Sequence, residues 1–463
     1  MPYKVIVIGA GPGGYVSAIR LSQLGLKTAI VEKHELGGEC TNYGCIPTKS
    51  FIEFANTYWN TKKGMEIGVI ADSKIDFPTF KLWKEKNILR LRNGIQYLCK
   101  ENGVEIINGE AYIKSPTQVT VKSGDQTTTL DTENIIVATG STTTQLPSLP
   151  FDGKYIISSK NMFEIDQLPK SILIVGGGVI GIEFAAALAK LGTQVTIVEV
   201  MDQILPGFDA EIVRYENRFL SRLGIKIYTK ATVSGFKIAD GTVESIIKKA
   251  DGETVLNVEK MLVAVGRKPY SNIGLKEIGV ILDAKGHVIV DNQMKTNIPN
   301  VYAIGDVVGT PYLAHKAFRQ GLVAAEVIGG HPIVYNNNAV PNVVFSEPEI
   351  AFVGLTEEEA KNGGHEISVG RFPLTASARA LTERAAEGFV KIIIEKNSHK
   401  IVGAQMIGAE ASELVSELAL AIESGLRAED IAGTVHPHPT ISEVLMDAAE
   451  DVLDRPIHTL KKK

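Results

Sequence analysis

Cysteine is scarce. Three occur in 463 residues, and two of them, Cys40 and Cys45, stand five positions apart. So sparse a set leaves no framework of structural bridges, and a close pair in this setting reads as redox-active rather than structural. Positive charge is not in excess either. The formal net charge is -5, which argues against a nucleic-acid surface. No low-complexity tract absorbs the 44 glycines, so they gather in short motifs where backbone approaches a ligand. No long apolar run is free of charge: residues 172–189, the most apolar window, hold Glu183 and a Gly-Gly-Gly run. That window reads as strand, turn and helix, not as a membrane span. No leader is expected before the strand-like Tyr3-Lys4-Val5-Ile6-Val7-Ile8, and a soluble, cytoplasmic protein follows from these absences. Lys461-Lys462-Lys463 reads as a short solvated tail.

The chain is too long for a single core, so two to four domains are expected. Val5-Ile6-Val7-Ile8 reads as a buried parallel strand, followed by Gly9-Ala10-Gly11-Pro12-Gly13-Gly14, a helix over about 15–24, and the strand Thr28-Ala29-Ile30-Val31-Glu32. This is the G-x-G-x-x-G dinucleotide fingerprint in its required setting, with an acid 23 positions after the first glycine. Gly9 permits the tight turn, Gly11 the approach of a pyrophosphate, and Gly14 the packing of helix on strand. The helix N-terminus faces the anion and Glu32 reaches a ribose hydroxyl. The strand Ile135-Ile136-Val137-Ala138, running into Thr139-Gly140, returns the chain to that nucleotide.

The unit recurs. Ser171-Ile172-Leu173-Ile174-Val175 leads into Gly176-Gly177-Gly178-Val179-Ile180-Gly181, a helix, and Gln194-Val195-Thr196-Ile197-Val198-Glu199. The acid again lies 23 positions after the first glycine. Glu199 repels a 2′-phosphate and no Arg occurs in residues 200–205, which points to NAD over NADP. Met261-Leu262-Val263-Ala264-Val265-Gly266 is the counterpart of the Ile135–Gly140 return strand. Two such units imply two dinucleotides.

Between them lies Gly37-Gly38-Glu39-Cys40-Thr41-Asn42-Tyr43-Gly44-Cys45-Ile46-Pro47-Thr48-Lys49. In an ideal helix a separation of five places side chains about 140° apart with a rise of roughly 7.5 Å. A disulfide then needs a bent backbone, which Gly44 and Pro47 permit. The alternative is two reduced, buried thiols. Cys99, in a helical stretch near residues 78–100, has no nearby partner and reads as a thiol without a role. Farther on, Thr296-Asn297-Ile298-Pro299-Asn300-Val301-Tyr302-Ala303-Ile304-Gly305-Asp306 is a strand ending in Gly-Asp, placing Asp306 either at a ribityl hydroxyl or as a helix cap. From about residue 339 the character changes to α+β: strands at 340–345 and 388–394, an amphipathic helix at 410–424, and no glycine fingerprint. The end carries His436-Pro437-His438-Pro439-Thr440-Ile441-Ser442-Glu443.

Taken together, these motifs resemble the flavoprotein disulfide reductases over essentially the full length. The resemblance rests on the Gly37–Lys49 segment, both fingerprints, Thr296–Asp306 with Tyr312-Leu313-Ala314-His315-Lys316-Ala317, and His438–Glu443. It implies an α/β fold with two Rossmann-like dinucleotide-binding domains, for FAD and NAD, and a C-terminal α+β dimerisation domain. The expected layout is FAD-binding at 1–147, NAD-binding at 148–268, a central domain at 269–338 completing the FAD site, and an interface domain at 339–463 that forms a homodimer. By the same resemblance Glu32 and Asp306 hold the FAD ribose and ribityl chain, and Lys49 lies near the flavin N5, paired with Glu183. Ala111, Ala314 and His315 align with flavin backbone contacts. Cys40 is the interchange thiol, Cys45 the flavin-side thiol, and His438 the base oriented by Glu443. The first histidine of the pair, His436, has no assigned chemistry.

Val179 stands where glutathione reductases commonly carry a Tyr over the nicotinamide pocket, which favours the lipoamide branch. The implied substrate is dihydrolipoamide, free or on the lipoyl domain of a 2-oxo acid dehydrogenase or glycine cleavage complex. Departures from the family pattern are Glu39, Thr41 and Tyr43 beside the cysteines, Gln320 where an acid is frequent, and Pro437 where Ala is frequent. Glu39 is expected to add negative charge beside the disulfide. Two readings stand as alternatives: reductase of glutathione or another small thiol, and a flavin-bearing assembly subunit without turnover.

Overall fold

A computed structural model describes residues 2–461, so Lys462 and Lys463 of the basic end lie outside the described residues. The chain divides into two compact units. One comprises the chain up to Pro169 with Lys260–Asn336, the other Lys170–Glu259 with the chain from Asn337.

The first unit is built on one sheet with a parallel half and an antiparallel half. In the parallel half Glu105–Asn108, Thr28–Glu32, Tyr3–Ile8, Gln126–Val137 and Val301–Ala303 run side by side. Gln126–Val137 is long enough to serve both halves, since its opening residues pair antiparallel with Gln118–Ser123, which pairs with Glu110–Ser115. The period of two along a strand decides where each side chain goes. Val5, Val7, Ile30, Ile136 and Tyr302 lie in a core with Ala18 and Leu21 of the helix Pro12–Gln23 and Val323 of the helix Ala314–Ile328. Ile6, Ile8, Ala29, Val31, Ile135, Val137 and Ala303 fill a second core with Ala111, Ile113, Val119 and Ile273. These strands are buried on both faces, which explains why they read as unbroken apolar runs. Cys99, on the helix Phe77–Glu101, is fully buried in the first of these cores, and burial pushes its thiol up to about 11. It is an inert core side chain.

The second unit repeats the opening motif. Ser171–Val175, Gln194–Val198 and Lys226–Tyr228 are parallel neighbours, with the helix Val179–Lys190 following the first. A three-stranded antiparallel sheet over Thr232–Ala239, Thr242–Lys249 and Gly252–Val258 follows. The C-terminal part is an antiparallel five-stranded sheet, ordered Asn342–Val344, Glu349–Gly354, Ile401–Gly408, Phe389–Glu395 and Ile367–Pro373. Its core contains Val415 and Leu418 of the helix Ala411–Glu423 and Val444, Leu445 and Ala448 of the helix Glu443–Val452.

Some elements differ in extent from the sequence reading. The run at 296–304 is a strand only over Val301–Ala303, because Asn300 turns the chain at φ +68°. The helix at the first fingerprint starts three residues early, at Pro12, where a fixed φ suits a first helical position. Among the described residues no helix is long and apolar enough to cross a membrane.

Candidate active site: a disulfide beside a dinucleotide turn

The first fingerprint is shaped by what its glycines exclude. A Cβ on Gly14 would lie 1.9 Å from the Gly9 carbonyl oxygen, so helix and turn touch only because none is there. Gly9 adopts φ +99° and a Cβ on it would meet Ala138. Gly11 faces open space, where a pyrophosphate could approach the start of the helix. Glu32 is buried, its carboxylate accepting the Ala10 N–H at 2.7 Å and the His34 N–H at 2.8 Å. A carboxylate offers about four lone-pair sites, so two remain for a ribose hydroxyl. The second fingerprint has the same form. Gly181 cannot carry a Cβ because Gly176 O would lie 2.1 Å from it, and Gly178 faces open space. Glu199 accepts the Gly177 N–H at 2.6 Å and the Met201 N–H at 2.8 Å. Gly140 and Gly266, which end the two return strands, have φ +69° and +109°, and nothing lies close to either position.

Cys40 and Cys45 are joined in a disulfide, with Cα atoms 4.6 Å apart. The bend this requires is present. Cys40 lies on the short helix Gly38–Asn42, Gly44 breaks the path at φ -123°, ψ -103°, and Cys45 opens the long helix Cys45–Lys63. Two reduced thiols are thereby set aside. The segment is seated on the first dinucleotide turn: Gly37 N–H donates to Ala10 O at 2.9 Å, and a Cβ on Gly38 would lie 2.6 Å from the Gly11 Cα. The three unusual residues all have partners. Glu39 forms a bidentate pair with Arg267, both contacts at 2.6 Å, so its charge is compensated and not added beside the disulfide as its sequence suggests. Thr41 is buried against Gly37, and the Lys160 ammonium lies 4.2 Å over the Tyr43 ring.

Asp306 lies in a short 3-10 turn, Gly305–Val308, and accepts the Ser141 hydroxyl. Gln320 is buried and takes the Gly305 N–H at 2.8 Å, an acceptor role that an amide fills as an acid would. Thr139 donates its hydroxyl to Tyr270 O at 2.6 Å. Ala111 is buried in the strand Glu110–Ser115, and Ala314 and His315 open the helix Ala314–Ile328. Lys316 is buried and donates to Gly309 O; burial draws its ammonium down to about 8, with the Asp306 charge opposing. Lys49 lies in the first turns of Cys45–Lys63.

In the second unit Glu183 is not a surface helix residue. It is buried and accepts the Phe345 N–H at 3.0 Å. His438 is 72% exposed, with Nδ1 2.8 Å from Glu443 Oε1, while Glu443 Oε2 accepts the Thr440 N–H at 2.9 Å. Burial would raise the Glu443 carboxyl, but the Thr440 N–H and His438 outweigh it and hold it below the usual carboxylate range. Nδ1–H donating to a carboxylate leaves Nε2 with its lone pair, directed away from the pair. The His436 side chain is covered instead, with Nδ1 2.9 Å from Thr434 O and Nε2 3.2 Å from Glu417. Arg267 and Ser141 were not singled out from sequence; the charge directly following Gly266, at the end of a return strand, is the one signal that marked Arg267.

Two family descriptions match: pyridine nucleotide-disulphide oxidoreductase over residues 3–321, and its dimerisation domain over 340–449. The chain belongs to the pyridine nucleotide-disulphide oxidoreductase family. A dihydrolipoyl dehydrogenase of Geobacillus stearothermophilus is 43% identical over 462 residues, covering 99% of this chain and 98% of that protein. One of Haloferax volcanii is 41% identical over 465 residues, with 99% and 98% covered. Among solved structures, LpdA from Mycobacterium tuberculosis aligns with a TM-score of 0.90 at 26% identity, covering 96% of this chain and 99% of that one. The family's cofactors, FAD and NAD, fit the two glycine turns and their acids as found.

Proposed function

We propose that this chain has NAD-dependent dihydrolipoyl dehydrogenase activity, oxidising dihydrolipoamide to lipoamide through the Cys40–Cys45 disulfide. The observation that carries the reading is the seating of the disulfide segment on the Gly9–Gly14 turn, in a chain aligned end to end with dihydrolipoyl dehydrogenases.

In the first step a substrate thiolate attacks the Cys40 sulfur. The Cys40–Cys45 bond breaks, and Cys45 leaves as a thiolate. The second substrate thiol gives its proton to His438 Nε2 and attacks its own partner sulfur, expelling Cys40 and closing the lipoamide disulfide. Glu443 fixes the ring and compensates the imidazolium that forms. Two electrons thus pass from the substrate thiolate to the cysteine pair, and one proton to His438. Bound FAD would supply the two-electron carrier between this dithiol and NAD, with hydride chemistry on the nicotinamide side. Glu32 and Asp306 are the groups for its ribose and ribityl hydroxyls, and Thr139 and Gly140 form the turn that returns the chain to it. Ala111, Ala314 and His315 would make flavin backbone contacts, and Lys49, with Glu183 as its proposed counter-charge, would lie near the flavin N5. Glu199, with Gly176, Gly178, Gly181 and Gly266, holds NAD and excludes a 2′-phosphate by charge.

The dimerisation domain supports a homodimer, and we assign each site one chain's cysteines and the other chain's His438. The functional layout is FAD-binding, NAD-binding, central and interface parts in chain order. The substrate is dihydrolipoamide, free or on a lipoyl domain. Turnover of dihydrolipoamide, reduced glutathione and other small thiols, each with NAD and with NADP, tests the reading: dihydrolipoamide with NAD should exceed every other pair, and a preference for glutathione or NADP would reject it.

A further inference from the structure

Cys40 sits on an element that cannot hold itself. The helix Gly38–Asn42 has five residues, far below the length at which a helix is stable alone. Glycines flank it: Gly37 and Gly38 at φ +89° and +60° on one side, Gly44 on the other. In the oxidised protein the bond to Cys45 ties it to the helix Cys45–Lys63. Each turnover breaks that bond.

Two side chains of the short helix grip structure outside it. Asn42 accepts from Arg92 at 2.9 and 3.1 Å, while its amide nitrogen caps Leu36 O and Gly38 O nearby. Glu39, directly before Cys40, makes the fork-to-fork pair with Arg267. Arg267 is itself immobilised. Its residue lies in the strand Arg267–Pro269, paired antiparallel with Ser141–Thr143. Its guanidinium also donates to Ser141 Oγ at 2.8 Å and Ser141 O at 2.9 Å, and the Ser141 hydroxyl passes on to Asp306. Burial disfavours the Arg267 charge, but Glu39, with smaller help from Asp306 and Tyr312, outweighs it and the guanidinium pKa is raised. A planar fork on a carboxylate fixes direction as well as distance, which a lysine could not do.

We propose that Glu39 is a positioning residue for Cys40: through Arg267 it keeps the Cys40 helix in register with Cys45 after the disulfide opens. The proposal rests on the redox-active reading of the pair. Its thermodynamic consequence has a definite sign. Reduction would otherwise release the helix and gain the conformational entropy of several residues, each worth about 1 kcal/mol or more. The clamp withholds that gain, so it disfavours the dithiol and speeds reclosure. Breaking the clamp shifts the equilibrium toward the dithiol.

The measurement needs no turnover. Holoenzyme is equilibrated without oxygen in graded mixtures of reduced and oxidised dithiothreitol, quenched with an alkylating reagent, and counted by mass at Cys40 and Cys45. The Glu39→Gln variant should move the exchange constant toward the dithiol about tenfold, or ~30 mV for two electrons. Arg267→Lys, which keeps the charge but loses the fork, should shift it in the same direction. The Glu39→Gln/Arg267→Met double variant should match Glu39→Gln. Constants within twofold of the wild-type value in the single variants would overturn the proposal, even with a lowered Tm, which would mark a purely structural pair. Return of the double variant to the wild-type constant would also overturn it, since charge and not position would then be at work. A wild-type disulfide that resists the buffer altogether would reject the redox reading itself, and is told apart by the wild-type protein alone.

Discussion

Glu32 and Glu199 make the same grip at the two ends of an internal repeat. Each takes the N–H of the residue after the first fingerprint glycine, Ala10 or Gly177, and the N–H two positions beyond itself, His34 or Met201. The acid therefore does two jobs: it shapes the turn and leaves lone pairs for a ribose. At the second site those jobs separate by measurement. Glu199→Gln keeps an acceptor but removes the charge that rejects a 2′-phosphate. A hydrogen bond to a charged group contributes about 1.5–3 kcal/mol, so kcat/KM with NAD should fall roughly 10–100-fold. The NAD-to-NADP ratio should fall with it. An unchanged ratio would remove Glu199 from nucleotide selection.

The two thiols should differ in reactivity. Cys40 is assigned to meet the substrate and Cys45 to lie on the cofactor side. After reduction by one equivalent of dithiol, a small alkylating reagent should label Cys40 well before Cys45. Peptide mass mapping at short times gives the order. Equal labelling, or Cys45 first, would reverse the assignment.

Glu216 sets a pH dependence of stability in the second unit. It lies on the helix Ala210–Arg222, is completely buried, and neither carboxyl oxygen has a hydrogen-bond partner among the described residues. Ser346 is near but donates its hydroxyl to Pro348 O at 2.8 Å. Burial therefore dominates, against Ser346 and the Lys190 ammonium, and raises the carboxyl from 4.5 to about 8. Between those values the folded chain keeps a proton that the unfolded chain has released, so this group lowers stability as pH rises across that window. Glu216→Gln cannot ionise. Its Tm relative to wild type should climb from pH 5 to 8; a gap independent of pH would show that Glu216 does not titrate in this way.

How much was legible in the sequence follows from what each feature depends on. The two fingerprints were readable because strand, turn, helix and acid are local, and their glycines answer contacts only a few residues away. The disulfide's bend was legible as a permission, through Gly44, but not as a fact. The boundary at Val301 was missed because a left-handed Asn300 interrupts an otherwise continuous apolar run. The Glu39–Arg267 pair was invisible, since it joins residues 228 positions apart and an isolated Glu beside a cysteine looks like added charge. Gln320 looked like a defect for the same reason: its acceptor role is defined by the Gly305 N–H, which pattern alone does not display.

The remaining prediction joins chemistry to assembly. His438 has an exposed ring held at Nδ1 by Glu443, which orients it while leaving Nε2 outside that pair. General bases of this kind contribute about 10²–10⁴-fold, so His438→Gln should lower dihydrolipoamide oxidation by that factor, and Glu443→Gln by less. Cys40→Ser should abolish it. If each site takes its cysteines from one chain and its histidine from the other, the two inactive variants contain complementary halves. A heterodimer of Cys40→Ser and His438→Gln chains then has one site with both defects and one with neither. Co-expression with two affinity tags isolates that heterodimer, and native mass spectrometry establishes its composition. Its activity should approach half that of the wild-type dimer. Activity no higher than that of the His438→Gln homodimer, in a verified heterodimer, would mean that His438 serves its own chain's disulfide or none.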